Sequence, residues 1–264
     1  MRNFIRNILA SAGISIGRHV DDVSIRDMIE RLHPVVTDRD LIRLGGDADG
    51  GYLVPNDLDG IVACFSPGVG PVVSFEEALV ERGIPCFLAD ASVTSPPILN
   101  KLIHFERKFL GVVNDDTTTT LDAWVRNYAP ASGDLILQMD IEGAEWPVLL
   151  NVSDETLRRF RIIVIELHDI YRLIDKAAFP LMAAAFERLL GEFYVVHNHP
   201  NNFGDSLKKG DVTIPWFLEL TLLRRDRAKP IGFAYRFPHP LDQKNSPERA
   251  DFALPPEWYR RGNA

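Results

Sequence analysis

The stretch from Gly133 to Trp146 constrains the fold of this chain more than any other part of the sequence. Five mostly apolar residues, Leu135 to Met139, follow a Gly-Asp turn, which predicts a buried strand of a parallel sheet. Three carboxylates then surround one glycine: Asp140, Glu142 and Glu145. A helix begins next, with Pro147 tolerated in its first turn. Because open α/β sheets bind ligands at the carboxyl ends of their strands, this stretch predicts a site, the alternative being a solvated acidic turn.

Composition narrows the classes of protein to which the chain can belong. It has 264 residues, 46% of them hydrophobic and 25% charged, as in a globular protein with one sizeable domain. The net charge of −8 argues against nucleic acid as a partner. No apolar run reaches the ~18 residues of a membrane span, so we expect no stable membrane insertion. Residues 1–10 predict a short amphipathic helix and a poor signal peptide, which makes the cytoplasm the expected compartment.

The order of predicted elements divides the chain into three parts. We expect a helical lead-in over residues 1–45, an α/β domain over 46–229 and a Pro-rich tail over 230–264. The tail should be irregular and either draped over the core or mobile. Cys64 and Cys86 fall in apparent strands, so we predict reduced core thiols and no disulfide framework.

A strand, a glycine loop, a helix and a second strand follow one another after Ile61. The loop carries Gly68 and Gly70, and a Gly-x-Gly turn lets a ligand approach backbone amides because no Cβ stands in the way. Asp90 follows the second strand, where nucleotide-binding βαβ units hold an acid against the ribose hydroxyls. These features together predict a nucleoside site, the alternative being a purely structural βαβ unit.

Two further patterns in this half of the chain predict a helix start and a third strand. Ser74 and Glu77 have the spacing of a capping box at the start of the helix that follows the glycine loop. Residues 105–113 predict the third strand, and a polar loop follows it. In that loop Asp115 or Asp116 could meet an adenine amino group, and a capping role is equally open.

Three later strands complete the predicted sheet. Residues 161–169 form the fifth strand, on which Glu166 and His168 should point to the same side. The sixth strand is predicted at 192–196 and the seventh at 216–223. The loop between them is too short for a crossover helix, so these two strands should pair antiparallel.

The polar residues that follow these strands should converge at one edge of the sheet. Asp140, His168 and His197 each fall at or just beyond the carboxyl end of a predicted strand, as do the glycine loop and Asp90. A lone histidine is more often a satisfied core residue than a functional one. Since His199 is a third histidine in such a position, both interpretations stay open.

Seven strands, of which the last two form a hairpin, resemble the class I S-adenosylmethionine-dependent methyltransferase fold. Residues 140–145, Asp-Ile-Glu-Gly-Ala-Glu, resemble the Asp-Ile-Glu-Gly-x-Glu signature of the FkbM-type methyltransferase family. Four further segments are similar to parts of an uncharacterised branch of that family: residues 49–52, 74–79, 165–168 and 197–202. The resemblance runs from about Arg43 to Arg225.

This resemblance implies a Rossmann-like α/β domain with a seven-stranded, mostly parallel sheet, a terminal antiparallel hairpin and helices on both faces. It implies S-adenosyl-L-methionine as the cofactor. The predicted cofactor-binding residues are Ser66, Gly68, Gly70, Asp90 and Asp116. The glycine loop departs from the common acid-x-Gly-x-Gly-x-Gly pattern, because it lacks the acid and one glycine. Glu76 or Asp49 could supply the missing carboxylate.

The implied reaction is an in-line displacement in which a hydroxyl of a small molecule or glycan attacks the sulfonium methyl group. The predicted catalytic residues are Asp140, His168 and His197. Either histidine could be the base, because imidazole titrates near neutral pH, and Asp140 would position substrate or cofactor.

Three alternatives stay open. Asp140, Glu166 and His168 could hold a divalent metal that lowers the pKa of a substrate hydroxyl, but no ligand spacing demands one and we expect none. The short glycine loop and the Pro-rich tail would also suit a non-catalytic, methyltransferase-like binding module. An NAD-linked Rossmann enzyme is the third alternative, and the missing third glycine and the antiparallel hairpin count against it.

Overall fold

A computed structural model describes residues 17–261, and this range contains fifteen strands and six α-helices. In chain order the strands are β1 (Val35–Thr37), β2 (Leu41–Leu44), β3 (Tyr52–Pro55), β4 (Ile61–Pro67), β5 (Cys86–Ala89), β6 (Ile103–Glu106), β7 (Phe109–Gly111), β8 (Thr118–Thr120), β9 (Asp134–Met139), β10 (Phe160–Leu167), β11 (Phe193–Pro200), β12 (Ser206–Lys209), β13 (Val212–Pro215), β14 (Leu218–Arg224) and β15 (Pro230–Phe233). The α-helices are α1 (Asp22–Arg31), α2 (Ser74–Val80), α3 (Leu121–Tyr128), α4 (Glu145–Asn151), α5 (Asp154–Arg159) and α6 (Phe179–Glu192). Short 3-10 helices lie at Ile170–Ile174, Arg225–Arg227 and Pro256–Trp258.

The central sheet has seven strands in the order β11-β14-β10-β9-β4-β5-β6. Strands β4, β5, β6, β9 and β10 pair in parallel, and β14 runs antiparallel to both β10 and β11. Strand β14, the last strand of the sheet in chain order, therefore lies between β10 and β11. This topology confirms the predicted fold class, including the terminal antiparallel hairpin.

Alternate residues of the central strands face two separate cores, as the two-residue period of a strand requires. Leu137 packs into the larger core, together with side chains of α1 and α3 to α6. Ile136 and Val164 pack into the other core, which is formed with α2 and the β2–β3 hairpin. Gln138 and Glu166 alternate in step with these two residues, so they lie on the hairpin side of the sheet.

The predicted lead-in over residues 1–45 is only partly helical. Helix α1 ends at Arg31, and strands β1 and β2 follow it. Strand β1 pairs with β15 from the tail, and β2 pairs antiparallel with β3 as a hairpin. The helix predicted for residues 1–10 lies outside the described residues.

The tail packs against the core at several points of its described part, and other residues of it are exposed. Leu254 and Trp258 are buried, and the indole N–H of Trp258 donates to the carbonyl oxygen of Thr213 at 2.8 Å. Burial of one large aromatic side chain contributes about 2–3 kcal/mol, so the tail contributes to the core although it is mostly irregular.

The predicted third strand at residues 105–113 is wrong in its bounds. The backbone turns after β6, where Lys108 N–H donates to the carbonyl oxygen of Glu106, so the chain leaves the sheet there. The next strand, β7, pairs with β8 in a separate two-stranded sheet. The polar loop after β7 therefore leads into β8, which pairs with β7, and does not extend the central sheet.

The capping box predicted at Ser74 and Glu77 is also wrong. Val73 occupies the N-cap position, and its side chain makes no capping hydrogen bond. The Ser74 hydroxyl instead accepts from Gly46 N–H at 2.9 Å and donates to the Gly50 carbonyl oxygen at 3.0 Å. It thereby fastens the loop between β2 and β3 to the start of α2.

Gly68 lets the glycine loop approach the end of β9. Its φ is +87°, and a Cβ at this position would lie 1.5 Å from the carbonyl oxygen of Asp140. A side chain would therefore push apart the two loops that carry the predicted site. For Gly70, by contrast, the nearest atom to such a Cβ is Val72 N at 4.0 Å.

We predict that Gly68→Ala lowers the free energy of unfolding by at least about 2 kcal/mol, because left-handed strain and a backbone clash act together. Gly70→Ala is the matched control and should change it by less than about 1 kcal/mol. Urea unfolding followed by circular dichroism measures both. Equal stabilities of the two variants would contradict this role of Gly68.

Candidate active site

The loop after β9 is held in shape by the carboxylate of Glu145. This residue is fully buried, and its Oε1 accepts from Ile141 N–H at 3.0 Å and from Gly143 N–H at 3.2 Å. The tight path of the loop requires left-handed backbone at Glu142 and Gly143, with φ of +56° and +98°. A buried acid at the start of α4 is thus the anchor of the acidic block.

The same Glu145 oxygen orients His168, which follows β10. The Nδ1 atom of His168 lies 3.0 Å from Glu145 Oε1. Its other nitrogen, Nε2, lies 3.4 Å from Glu142 Oε2 and 3.8 Å from Asp140 Oδ1. We name Asp140, Glu142, Glu145 and His168 the acid–histidine cluster. A carboxylate that fixes one ring nitrogen and leaves the other facing the site is the usual arrangement of a catalytic base.

The electrostatics of the acid–histidine cluster raise two pKa values. Burial raises the pKa of Asp140 to about 7, with Glu142 and Glu145 adding to the rise and His168 opposing it. Burial would lower the pKa of His168, but the hydrogen bond to Glu145 and the surrounding negative charges outweigh it and raise this pKa. A pKa perturbed by specific partners at a strand end is typical of a functional site.

A small cavity lies between the glycine loop and Asp140, with a volume of about 60 Å³. The predicted residues Ser66, Gly68, Gly70 and Asp140 line it, as do Asp49, Tyr52, Glu76 and Gln138. Both acids proposed as substitutes for the missing loop carboxylate therefore face the same space. The structure brings the predicted glycine-loop residues to the edge of the acid–histidine cluster.

Ser66 belongs to a buried hydrogen-bond network behind the cavity. Its hydroxyl contacts the carboxyl group of Glu76 and lies 2.7 Å from Gln138 Oε1, and Gln138 in turn donates to the hydroxyl oxygen of Tyr52 at 3.3 Å. One hydroxyl proton cannot serve both acceptors of Ser66. Burial raises the pKa of Glu76, so a protonated Glu76 can supply the second proton.

The two predicted nucleoside-binding acids differ in their settings. Asp90 is buried at the end of β5, where Oδ1 accepts from Ser92 N–H at 2.7 Å. Asp116 is exposed between β7 and β8 and does not line the cavity. The turn-capping role in that loop falls to Asp115, whose Oδ1 accepts from the N–H groups of Thr117 and Thr118, each at 2.8 Å.

His197 lies apart from Asp140 and His168. Strand β11 extends to Pro200, beyond the predicted end at 196, so His197 is inside a strand instead of in a loop. Its Nε2 lies 2.8 Å from Oδ1 of Asp242, a residue of the tail. Since β14 separates β11 from β10, the structure joins Asp140 with His168 and places His197 in a second cluster.

The predicted metal ligands are also arranged differently from the prediction. Within residues 17–261, the third possible ligand beside Asp140 and His168 is Glu142, not Glu166. One ligand atom from each of Asp140, Glu142 and His168 lies within 4.8 Å of the others. Glu166 accepts from the side-chain amide of Asn201 at 2.9 Å. Glu142 was missed as a possible ligand because its left-handed backbone, which turns the side chain toward His168, leaves no mark in the sequence.

The roles of two other acids, Glu145 and Glu219, were not predicted. Glu145 belongs to the quoted acidic block, but only the fold shows that it orients His168. Glu219 pairs in register with Glu166 and with His199 across three strands, and Asn245 from the tail donates to it at 2.5 Å. Alternation on β14 could have placed Glu219 on the polar face, whereas nothing in the tail predicts Asn245.

We predict that Glu145→Gln lowers the pKa of His168, because the charge that favours the imidazolium is removed while an amide oxygen can still accept from the loop N–H groups. NMR titration of the histidine rings measures the change. Glu187→Gln, which removes an exposed acid paired with Arg31, is the control.

The same substitution should alter the pH dependence of stability. A raised pKa in the folded state stabilises the fold below the pKa of an unfolded histidine, and this contribution is lost as the pH rises through the folded value. Glu145→Gln should weaken that dependence. An unchanged pKa for His168 in the variant would show that Glu145 does not set it.

Comparison with known proteins agrees with the family resemblance. Residues 86–193 match the family model of the Methyltransferase FkbM domain. No curated protein matches the sequence. The match spans Asp90, Asp116, Asp140 and His168, and the glycine loop and His197 lie outside it.

Two solved structures are similar at low identity. A chain of the fibrillarin/NOP5P complex is 11% identical with a TM-score of 0.38, over 63% of this chain and 74% of that one. TrmN from Thermus thermophilus is 13% identical with a TM-score of 0.31, over 62% of this chain and 44% of that one. Between residues 17 and 261, none of the helices is both long and apolar enough to cross a bilayer. The match to the family model confirms the predicted resemblance: over residues 86–193 the chain is similar to the Methyltransferase FkbM domain.

Proposed function

We propose that this protein is an S-adenosylmethionine-dependent methyltransferase that methylates a hydroxyl group of a small molecule or glycan. The observation that carries the proposal is the Glu145–His168 pair. It presents one imidazole nitrogen beside Asp140 at the carboxyl edge of the sheet, next to the glycine-loop cavity. The FkbM domain match supports the methyl-transfer chemistry.

The residues at this edge fit the cofactor. Asp90 uses one carboxylate oxygen for Ser92, which leaves the other to accept from a ribose diol. Asp49 and Glu76 line the cavity, where Asp49 can accept from the ammonium group of the amino-acid end and a protonated Glu76 can donate to its carboxylate. Asp140 Oδ1 is a buried oxygen without a hydrogen-bond partner within residues 17–261, so this end of the cavity has an acceptor to offer.

The cavity is much smaller than the roughly 300 Å³ or more of typical ligand pockets. It would therefore hold only the amino-acid end of the cofactor, with the ribose outside it at Asp90. The loop between β2 and β3 is one wall of this cavity. The two hydrogen bonds of Ser74 tie this loop to α2, and Asp49 N–H ties it to the carbonyl oxygen of Asn245 at 3.1 Å. We assign this loop the role of cover over the amino-acid end.

The bound cofactor would supply an electrophilic methyl group on a sulfonium ion. The chain supplies the proton acceptor: Glu145 holds Nδ1 of His168, and Nε2 takes the proton of the acceptor hydroxyl as that oxygen attacks. Asp140 and Glu142 lie within 4 Å of Nε2 and stabilise the imidazolium that forms. Since the base must be neutral before transfer, the rate should rise with pH through the raised pKa of His168.

The charge of the candidate site supports an acceptor without negative charge. Asp49, Glu76 and Asp140 line the cavity beside the glycine loop. The net charge of −8 disfavours a polyanionic acceptor.

The proposal predicts that the wild-type protein binds S-adenosylmethionine and S-adenosylhomocysteine in calorimetry. It should also transfer a methyl group to at least one member of a panel of methyl glycosides and catechols, detected by mass spectrometry. His168→Gln should reduce transfer about 10²- to 10⁴-fold, as expected for loss of a general base, and leave cofactor binding nearly unchanged.

His19→Gln is the matched control, because this exposed histidine lies outside the acid–histidine cluster. Failure of the wild type to bind either cofactor form at millimolar concentration would contradict the proposal. Binding without transfer to any acceptor would favour the non-catalytic binding module. Full transfer by His168→Gln would remove His168 from the role of base.

A further inference from the structure

A second cluster of ligand-type side chains joins the tail to the edge of the central sheet. It consists of His197 and His199 on β11 and Asp242 in the tail, and we name it the tail cluster. We propose that the tail cluster binds a divalent transition-metal ion of the Zn²⁺ type, which fastens the tail to β11. This inference does not rest on the proposed methyltransferase activity.

The strand geometry prepares the two imidazoles for a shared ligand. Residues two apart on a strand point to the same face, and the rings of His197 and His199 lie nearly parallel with centroids 6.4 Å apart. Both residues are more than nine-tenths buried. Buried imidazoles held side by side on a strand lose little further conformational entropy when they bind an ion.

The tail supplies the carboxylate in a fixed position. Asp242 N–H donates to the carbonyl oxygen of His239 at 2.8 Å, and His239 N–H donates to Asp242 Oδ2 at 2.7 Å, which closes a tight turn. This turn sets Asp242 between the two imidazoles. Its Oδ1 lies 2.8 Å from His197 Nε2, and its Oδ2 lies 3.8 Å from His199 Nδ1.

The ligand atoms of His197, His199 and Asp242 lie close enough together to bind one ion. One ligand atom from each of the three residues lies within 4.8 Å of the others. Zinc bonds to nitrogen and oxygen are about 2.0–2.2 Å long in a tetrahedral site, so neighbouring ligand atoms lie roughly 3.3 Å apart. The two observed distances, 2.8 and 3.8 Å, bracket that value, so small side-chain rotations would close the site.

The donor set selects the class of ion. Two imidazole nitrogens and one carboxylate oxygen suit Zn²⁺ and related transition metals, whereas Mg²⁺ and Ca²⁺ prefer oxygen ligands alone. The imidazole of His239 lies near that of His197, with ring centroids 5.9 Å apart, but its Nδ1 accepts from Leu241 N–H at 3.2 Å.

The imidazole of His199 is buried without a good hydrogen bond at either nitrogen. His199 is 8% exposed, and its Nε2 is buried without a hydrogen-bond partner within residues 17–261. Its Nδ1 has only the 3.8 Å contact to Asp242, which is too long for a good hydrogen bond. Because buried polar atoms without partners cost free energy, an ion bound at one of these nitrogens would supply a partner that the described residues do not.

The test is a metal titration of the full-length, chelator-stripped protein with Zn²⁺ against a chromogenic chelator, and with Co²⁺ read by its visible absorption. We expect one equivalent of Zn²⁺ to bind the wild type and to raise its melting temperature, because an ion that binds the native state stabilises it. His199→Gln and Asp242→Asn should each lose this equivalent and the thermal shift.

His168→Gln is the matched control, since it removes a histidine from the acid–histidine cluster and should keep the equivalent. Circular dichroism in chelator establishes that the variants are folded, and the wild-type titration stands whether or not they are. The proposal is overturned if the wild type binds neither ion. It is also overturned if folded His199→Gln and Asp242→Asn retain the equivalent, or if only His168→Gln loses it.

Discussion

The carboxylate of Glu145 is the interaction on which the candidate active site depends. It is fully buried at the start of α4, and a single oxygen accepts from two N–H groups of the loop after β9 and also meets Nδ1 of His168. It thus ties together the ends of the two central strands. A buried charge requires such partners, because the penalty for removing it from water is several kcal/mol. The same partners fix the direction in which Nε2 of His168 points.

Close packing of two loops positions the rest of the site. Gly68 allows the glycine loop to lie against the carbonyl oxygen of Asp140, and Ser74 ties the loop between β2 and β3 to α2. The resulting cavity is small, with a volume of about 60 Å³. The loop between β2 and β3, which we assign as its cover, is held by the two Ser74 contacts and by the hydrogen bond from Asp49 N–H to the carbonyl oxygen of Asn245.

Much of the fold could be predicted because the central strands are almost wholly apolar and end in turns or polar residues. Strands β9 and β10 and the antiparallel hairpin of β14 with β11 lie close to their predicted places for this reason. The prediction of the third strand was wrong because residues 105–113 form one continuous segment in the sequence, whereas the backbone turns after Glu106 and leaves the sheet. The capping role predicted for Ser74 was wrong because its hydroxyl forms hydrogen bonds with Gly46 and Gly50. The spacing between Ser74 and Glu77 does not reveal partners that are so distant in sequence.

The residue types of the candidate site could be predicted from the sequence. Which of these residues lie close together could be predicted only in part. The position of Asp140 and His168 after neighbouring parallel strands was enough to bring them together. His197 follows an apolar run in the same way, but its strand continues and lies at the edge of the sheet. Its partner Asp242 comes from an irregular tail for which no periodic pattern exists. Contacts between distant irregular segments depend on the whole fold, so the second cluster emerged only from the structure.

The most direct measurement is a crystal structure of the protein with S-adenosylhomocysteine. It should show the ribose hydroxyls on Asp90, the amino-acid end between the glycine loop and the loop joining β2 to β3, and the sulfur atom facing the space beside His168 Nε2. A ligand held elsewhere, or a sulfur atom directed away from the acid–histidine cluster, would contradict the account. In that case His168 could not take the proton from an acceptor at the reacting centre.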